Sequence, residues 1–98
     1  MVLKKKNMKT VYVPIAADII HTGHLNIINK ARKYGKIIIG LLSDKAIAEY
    51  KRLPLNSYDK RLIVIKNLKN ITKIVKQETW DYEKNLLQLK PNYLIHGD

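Results

Sequence analysis

The chain contains no cysteine, which excludes a disulfide framework and gives no sign of an oxidising compartment. Nowhere does it carry the roughly 18 consecutive apolar residues that a membrane-spanning helix needs, so we expect no membrane span. Acidic residues are few: eight Asp and Glu stand against 19 Lys and Arg, which gives a formal net charge of +11. A length of 98 residues with 46% hydrophobic content is enough for one small domain with one core.

Residues 1–9 form a basic segment that resembles the head of a signal peptide. The apolar run behind it is short, is interrupted by Pro14 and soon reaches Asp18, so export is not indicated. We therefore expect a cytoplasmic protein with a flexible basic tail over 1–9 and one folded domain over 10–98.

The positive charge raises the question of a nucleic-acid partner. The lysines are spread along the whole sequence, arginine is scarce, and aromatic residues are not interleaved with basic ones as in an RNA-binding sheet. These features argue against nucleic acid, and we expect the charge to help attract small anions.

Apolar periodicity alternates between strand and helix along the chain. β-branched runs bounded by turn residues predict strands, and apolar spacing of three and four predicts helices. The predicted order is a strand from Thr10, a helix from Leu25 to Gly35, a strand over 36–42, a helix over 45–50 capped by Ser43 and Asp44, a loop over 51–56, a helix from Ser57 to Asn70, a strand over 71–75, a helix over 82–89 capped by Asp81, and a strand over 93–98. This alternation predicts an α/β fold with a doubly wound parallel sheet and helices on both faces.

Two histidines lie where the first strand gives way to the first helix. His21 and His24 flank Gly23 at a point where a helix begins, and a helix N-terminus offers unpaired N–H groups and positive potential. Gly23 permits close approach of a phosphate to the backbone. The pattern indicates a phosphate cradle. An accidental surface pair or a metal site are the alternatives, and the metal reading is weak because His96 is the only other histidine.

Polar residues follow the predicted strands at the carboxyl edge of the sheet, where ligands of such sheets bind. They are Asp18, the Ser43-Asp44 pair, and His96, Gly97 and Asp98. Asp18 could orient a histidine, help place a nucleotide, or only cap a helix. Gly97 fits a turn at a strand end, and Asp98 could accept a hydrogen bond from a base amino group or a ribose hydroxyl.

The segment His21-Thr22-Gly23-His24 resembles the His-x-Gly-His signature of the nucleotidyltransferase superfamily, which includes the cytidylyltransferases and has a Rossmann-like fold. The resemblance implies that both histidines contact nucleotide phosphates and stabilise the transition state. Lys51 is similar to a family lysine that contacts phosphates, although a Lys51-Arg52 pair could also be two solvated charges. Arg61 matches a Tyr-x-x-Arg motif, and its partner could be a ligand or a carboxylate in a structural pair. From the family resemblance we expect Arg61 to contact the nucleotide phosphates.

Further positions extend the likeness over residues 10–98. His96, Gly97 and Asp98 resemble a stretch near the family's nucleotide pocket, and Trp80 and Tyr82 occupy a region that relatives use near the substrate head group. An aromatic residue there could equally belong to the packing core. Lys69 stands where relatives often carry arginine.

Two departures from the family pattern affect the interpretation. Where relatives such as glycerol-3-phosphate cytidylyltransferase have Gly-Thr-Phe-Asp, this chain has Ile15-Ala16-Ala17-Asp18. The sequence around Asp18 is more similar to that of cytidylyltransferase domains joined to phosphoenolpyruvate mutase, so the acceptor could be a phosphonate. The sequence also stops at Asp98, before the family's Arg-Thr-x-Gly-Ile-Ser-Thr-Ser segment, so we expect a fragment or an incomplete site.

The sequence therefore predicts a cytidylyltransferase that moves CMP from CTP to a small phosphate or phosphonate acceptor and releases pyrophosphate. The resemblance implies magnesium bound mainly by the triphosphate, with no metal site on the protein, and a homodimer or a fused partner domain. An adenylyltransferase of the same superfamily and a non-catalytic module for nucleotide binding or dimerisation are the alternatives.

Overall fold

The computed structural model describes residues 9–19, 22–50 and 52–96. Within them, four strands alternate with four helices. The elements are β1 Thr10–Ile15, α1 Thr22–Arg32, β2 Lys36–Leu42, α2 Asp44–Tyr50, α3 Tyr58–Lys66, β3 Ile71–Gln77, α4 Glu83–Leu89 and β4 Tyr93–Leu94. The predicted α/β architecture is confirmed, while the predicted tail over 1–9 falls almost wholly outside the described residues.

The four strands form one parallel sheet in the order β3-β2-β1-β4. Strand β1 is central and pairs with β2 over its whole length, from Thr10 beside Lys36 to Ile15 beside Leu41. The chain moves outward from β1 to β3 and then crosses back to place β4 on the other side of β1. The strand order therefore reverses between β1 and β4, and in such sheets a reversal opens a crevice at the carboxyl edge.

Alternate side chains of the central strands divide the interior into two layers. Val11, Val13 and Ile15 of β1, with their neighbours on β2, pack against α1 and α3 through Ile28 and Ile65. On the opposite face, Asn85 of α4 donates hydrogen bonds to the hydroxyl oxygen of Tyr12 at 2.9 Å and to the carbonyl oxygen of Lys76 at 3.2 Å. Helices thus cover both faces, as predicted.

Turn chemistry explains several element ends. Gly35 has a φ of +155°, and a Cβ at this position would overlap the carbonyl oxygen of Lys9. That oxygen accepts a hydrogen bond from the N–H of Lys36 at 2.8 Å. Ser43 Oγ accepts from the N–H of Ala46 at 3.0 Å, and Ser57 Oγ accepts from Lys60 at 3.4 Å. Both predicted serine caps are confirmed, whereas the first helix ends at Arg32, three residues before the predicted stop at Gly35.

Other predicted boundaries are wrong. Helix α1 begins at Thr22 rather than Leu25, β3 continues to Gln77, and α3 ends at Lys66 rather than near Asn70. Tyr82 is the N-cap residue of α4 and makes no side-chain capping bond, although Asp81 Oδ1 accepts from the N–H of Glu83 at 3.0 Å.

The predicted last strand is shortened to two residues for an identifiable reason. The carbonyl oxygen of Tyr12 accepts from the N–H of Ile95, so the even-numbered residues of β1 present their backbone groups to β4. Pro14 is the next such residue and has no N–H to donate, so the ladder cannot continue. The two strands therefore separate at the carboxyl edge, where Pro14 and His96 line a cavity.

Candidate functional site

The cavity at the carboxyl edge lies at the reversal of strand order and has a volume of about 620 Å³. Strand ends, the first turn of α1 and the loops after β3 and β4 all contribute to its wall. The lining residues are Val13, Pro14, Ile15, Ala16, Gly23, His24, Ile27, Leu42, Tyr50, Gln77, Trp80, Tyr82 and His96. Five of the predicted site residues, Gly23, His24, Trp80, Tyr82 and His96, thus meet around one space.

Gly23 and His24 belong to the first turn of α1, and both are half-buried. The helix has 11 residues, and its first turn contains no acidic side chain that would offset the positive end of the helix. The first-turn N–H groups and an imidazole therefore face one end of the cavity, an arrangement suited to an anion. His21 lies outside the described residues.

An aromatic wall, which we define as Tyr50, Trp80 and Tyr82, forms another side of the cavity. The rings of Tyr50 and Trp80 stack with centroids 4.0 Å apart and planes 6° from parallel. The Tyr82 ring lies 5.7 Å from the ring of His96. Trp80 is 41% exposed, so it belongs to the cavity surface and not to the packing core.

Buried hydrogen bonds hold this wall in place. The amide nitrogen of Gln77, a side chain that is only 1% exposed, donates to the carbonyl oxygens of Thr79 and Trp80, each at 3.1 Å. Its amide oxygen accepts from the hydroxyl of Tyr12 at 2.6 Å. Burial raises the pKa of Tyr12, which the hydrogen bond from Asn85 offsets in part. Tyr12 therefore stays a neutral donor and fixes the orientation of Gln77.

Arg61 is buried beside the cavity but does not line it. Its Nε donates to the carbonyl oxygen of Asn56 at 3.0 Å. Nη1 donates to the carbonyl oxygens of Ala16 and Leu42, each at 2.7 Å, and Nη2 pairs with Asp44 Oδ1 at 2.7 Å. The structure thus shows Arg61 in a structural pair with a carboxylate, while its expected contact with nucleotide phosphates stays a prediction. The guanidinium joins the ends of β1 and β2 to the loop before α3.

Asp18 ties the same loop to the end of β1. Its carboxylate accepts from the backbone N–H groups of Leu55 and Asn56, each at 2.8 Å, and the Asn56 side chain donates to the Asp18 carbonyl oxygen at 2.9 Å. Desolvation acts to raise the pKa of Asp18, but these hydrogen bonds and the charges of Arg61 and Arg52 outweigh it, so the pKa lies below its usual value. Asp18 clamps a loop and does not line the cavity.

Four predicted site residues, His21, Lys51, Gly97 and Asp98, lie outside the described residues. Sequence reasoning missed Tyr50 and Gln77 as parts of the site. Gln77 had a usable signal, since a polar residue at the carboxyl end of a strand faces the ligand edge. Tyr50 had none, because its stacking partner is 30 positions away in the chain.

Within 9–19, 22–50 and 52–96, no group of three or more His, Asp or Glu side chains is placed to hold a metal ion. None of the helices in this part of the chain combines the length and apolarity needed to cross a bilayer.

Comparison with known proteins identifies relatives across nearly the whole chain. The family model described as "Cytidylyltransferase-like" matches residues 16–98. The ethanolamine-phosphate cytidylyltransferase of Arabidopsis thaliana is 29% identical over 103 aligned residues, which cover 99% of this chain and 24% of that protein. The bifunctional protein HldE of Aliarcobacter butzleri is 32% identical over 93 residues, which cover 91% of this chain and 19% of that protein. The chain thus spans about a fifth to a quarter of these relatives.

A solved structure has the same fold. The lipopolysaccharide core biosynthesis protein from Thermoplasma volcanium superposes with a TM-score of 0.82 at 23% identity, covering 89% of this chain and 72% of that one. At this identity the match supports the fold alone. The family model, in contrast, covers most of the residues that build the cavity. The chain therefore belongs to the cytidylyltransferase-like family of nucleotidyltransferases.

Proposed function

We propose that this chain transfers CMP from CTP to a small phosphate or phosphonate acceptor and releases pyrophosphate. The observation that carries the proposal is the cavity between β1 and β4, where Gly23 and His24 in the first turn of α1 face an aromatic wall across a space of about 620 Å³. An anion site and an aromatic surface in one cavity suit a triphosphate together with a small acceptor.

The phosphate end of the site is assigned to the start of α1. His24 donates an N–H to a phosphate oxygen, and the first-turn backbone N–H groups take further oxygens because Gly23 presents no side chain. From the family resemblance we propose that His21 and Lys51 add positive charge to the same phosphates. These contacts strengthen as charge develops on the transferring and leaving phosphates.

The proposed reaction is an in-line displacement at the α-phosphorus. An acceptor oxygen attacks this atom, the bond from the α-phosphorus to the α,β-bridging oxygen breaks, and pyrophosphate leaves with the electron pair. No covalent enzyme intermediate forms. The protein positions the two substrates and stabilises the developing charge. Because one site holds both substrates, the reaction between them becomes effectively unimolecular.

We assign the acceptor to the aromatic wall. Trp80 and Tyr82 offer apolar faces to the same cavity as the start of α1, and the Tyr50–Trp80 stack is anchored by the bond from the backbone N–H of Trp80 to Glu49 Oε1 at 3.1 Å. A small amine-bearing head group could lie against these faces. Phosphoethanolamine and 2-aminoethylphosphonate share such a head group and represent the phosphate and phosphonate classes.

The nucleobase is assigned to the end of β4, where His96 lines the cavity and Gly97 and Asp98 follow in sequence. The described residues offer no set of ligands for a resident ion. Magnesium therefore enters the proposal as part of the substrate MgCTP, held by phosphate oxygens, and no step depends on a metal bound by this chain.

The test is release of pyrophosphate by the purified chain from MgCTP with each of the two acceptors, and from MgATP as the comparison nucleotide. We expect release from CTP, dependent on acceptor, and a loss of at least tenfold in His24→Ala. Asn29→Ala, an exposed change on the same helix, is the matched control and should retain the rate. Release from ATP alone would identify an adenylyltransferase, and bound CTP without turnover would identify a non-catalytic module.

A homodimer remains a prediction. Light scattering after size exclusion tests it, since a particle of only 11.4 kDa would contradict dimerisation.

A further inference from the structure

Among the described residues, the excess of basic over acidic side chains lies at one end of the parallel strands. Eight exposed basic residues lie at the opposite end of the sheet from the cavity, where strands begin and helices end. We call this set the amino rim, and its members are Lys9, Lys30, Arg32, Lys33, Lys36, Lys66, Lys69 and Lys90. Although lysines are spread along the sequence, the alternation of strand and helix places seven of them at this one end of the molecule.

No acidic residue of the described chain accompanies them. The seven described carboxylates all follow strand ends or belong to α2 or to the first turns of α3 and α4, at the cavity end: Asp18, Asp44, Glu49, Asp59, Glu78, Asp81 and Glu83. Six described cations share that end, so the charges described there nearly balance: Lys45, Arg52, Lys60, Arg61, Lys76 and Lys84. Lys73, inside β3, belongs to neither set. Among the described residues, the excess positive charge thus lies away from the cavity, and attraction of small anions by the charge stays a prediction.

Helix dipoles explain only part of this arrangement. Lys30, Arg32 and Lys66 occupy last turns, where a cation is favoured by the negative end of the helix. Lys36 begins a strand and Lys69 lies in a loop, so no helix favours a cation at either position. Eight like charges without a carboxylate among them repel one another, and a polyanion would relieve that repulsion.

Exposed aromatic and aliphatic groups adjoin the amino rim. Tyr34, at the end of α1, and Tyr93, at the start of β4, are 43% and 38% exposed, and their rings lie 5.1 Å apart. The neighbouring Leu94 is 36% exposed, and Lys9 Nζ lies 5.9 Å from the Tyr93 ring centroid. Tyrosine and leucine beside lysines are typical of surfaces that sit at the boundary between lipid head groups and acyl chains.

We propose that the amino rim docks on an anionic lipid bilayer. Lysine, a compact point charge, supplies seven of the eight cations, whereas the planar arginine fork that reads nucleic acid occurs only once. Leu94 contributes to contact with lipid and has no role in stacking on bases. The cavity lies at the other end of the strands, so a docked molecule keeps its cavity open to small substrates in solution.

The test is co-sedimentation of the full chain with phosphatidylcholine vesicles, with and without phosphatidylglycerol, at about 0.1 M salt, where charges act over about 10 Å. Lys33→Gln/Lys36→Gln/Lys69→Gln neutralises three rim lysines. The matched control, Lys45→Gln/Lys60→Gln/Lys84→Gln, removes the same number of exposed lysines from the cavity end. Thermal unfolding of both variants verifies that each is folded.

We expect the wild type to bind only anionic vesicles and to dissociate as salt rises. A lysine near an anionic surface contributes roughly fivefold in partition, so the rim variant should lose at least tenfold and the control less than threefold. Equal losses in the two variants would overturn the proposal, because net charge alone would then account for binding. Absence of binding by the wild type, or binding to single-stranded RNA that vesicles cannot compete away, would also overturn it.

Discussion

Replacing Arg61 with methionine tests whether this side chain supports the fold or serves a ligand. Methionine keeps the apolar stem but removes every donor, and three carbonyl oxygens, of Ala16, Leu42 and Asn56, then lose a bond from a charged group. The pair with Asp44 adds little, since that carboxylate is 45% exposed. Each buried carbonyl oxygen left without its bond costs about 1–3 kcal/mol, so we expect a loss of about 3–5 kcal/mol in all, a large share of the roughly 5–15 kcal/mol that stabilise a domain.

Urea unfolding followed by circular dichroism measures this cost as a fall in the midpoint at constant slope. Arg52→Met is the matched control, because Arg52 is exposed and, within the described part of the chain, donates one hydrogen bond, to the carbonyl oxygen of its neighbour Leu53 at 3.2 Å. The control should change the unfolding free energy by about 0.5 kcal/mol or less. Arg61→Lys should recover little, because an ammonium cannot reproduce the planar fork.

The reasoning would be refuted if Arg61→Met unfolded within about 1 kcal/mol of the wild type. If the same variant lost CTP binding while staying folded, Arg61 would be a phosphate ligand, as the family motif implied, and its hydrogen bonds in the folded chain would be secondary.

Three further changes probe the cavity and its support. Gly40→Ala places a Cβ against the ring and hydroxyl of Tyr12 and should lower the free energy of unfolding in urea by about 2–3 kcal/mol. A decrease below about 0.5 kcal/mol would mean that the ring does not cover this glycine. The lowered pKa of Asp18 adds stability that is present above about pH 4 and is lost as pH falls through the native pKa. The difference in unfolding free energy between wild type and Asp18→Asn should therefore shrink below pH 4, and a difference that grew there would contradict the clamp. Trp80→Ala should raise KM for the acceptor at least several-fold and leave KM for CTP nearly unchanged, whereas equal rises would remove the acceptor from the aromatic wall.

The sequence was most informative where structure follows from local pattern. After Lys36, residues 37–42 carry no polar side chain and are buried on both faces, and the observed β2 has the predicted bounds. The end of the chain was misjudged because strand length there depends on a partner. Pro14 belongs to β1, and its missing N–H stops the pairing of β4, an effect on a strand about 80 residues later in the chain.

The site was predictable only in part for the same reason. Gly23 and His24 were found through a motif that is local in sequence, and the structure places both on the cavity wall. The position of Arg61 depends on carbonyl groups up to 45 residues away, which no local pattern reports. The amino rim likewise appears only once the strands and helices alternate in space.

Calorimetric titration of the chain with MgCTP, repeated on His24→Ala, tests the central claim most directly. The account predicts saturable binding of one CTP per chain that the substitution weakens at least tenfold while the variant stays folded. Undiminished binding in the variant, or no binding of CTP to the folded wild type, would contradict the assignment of the cavity as a nucleotide site.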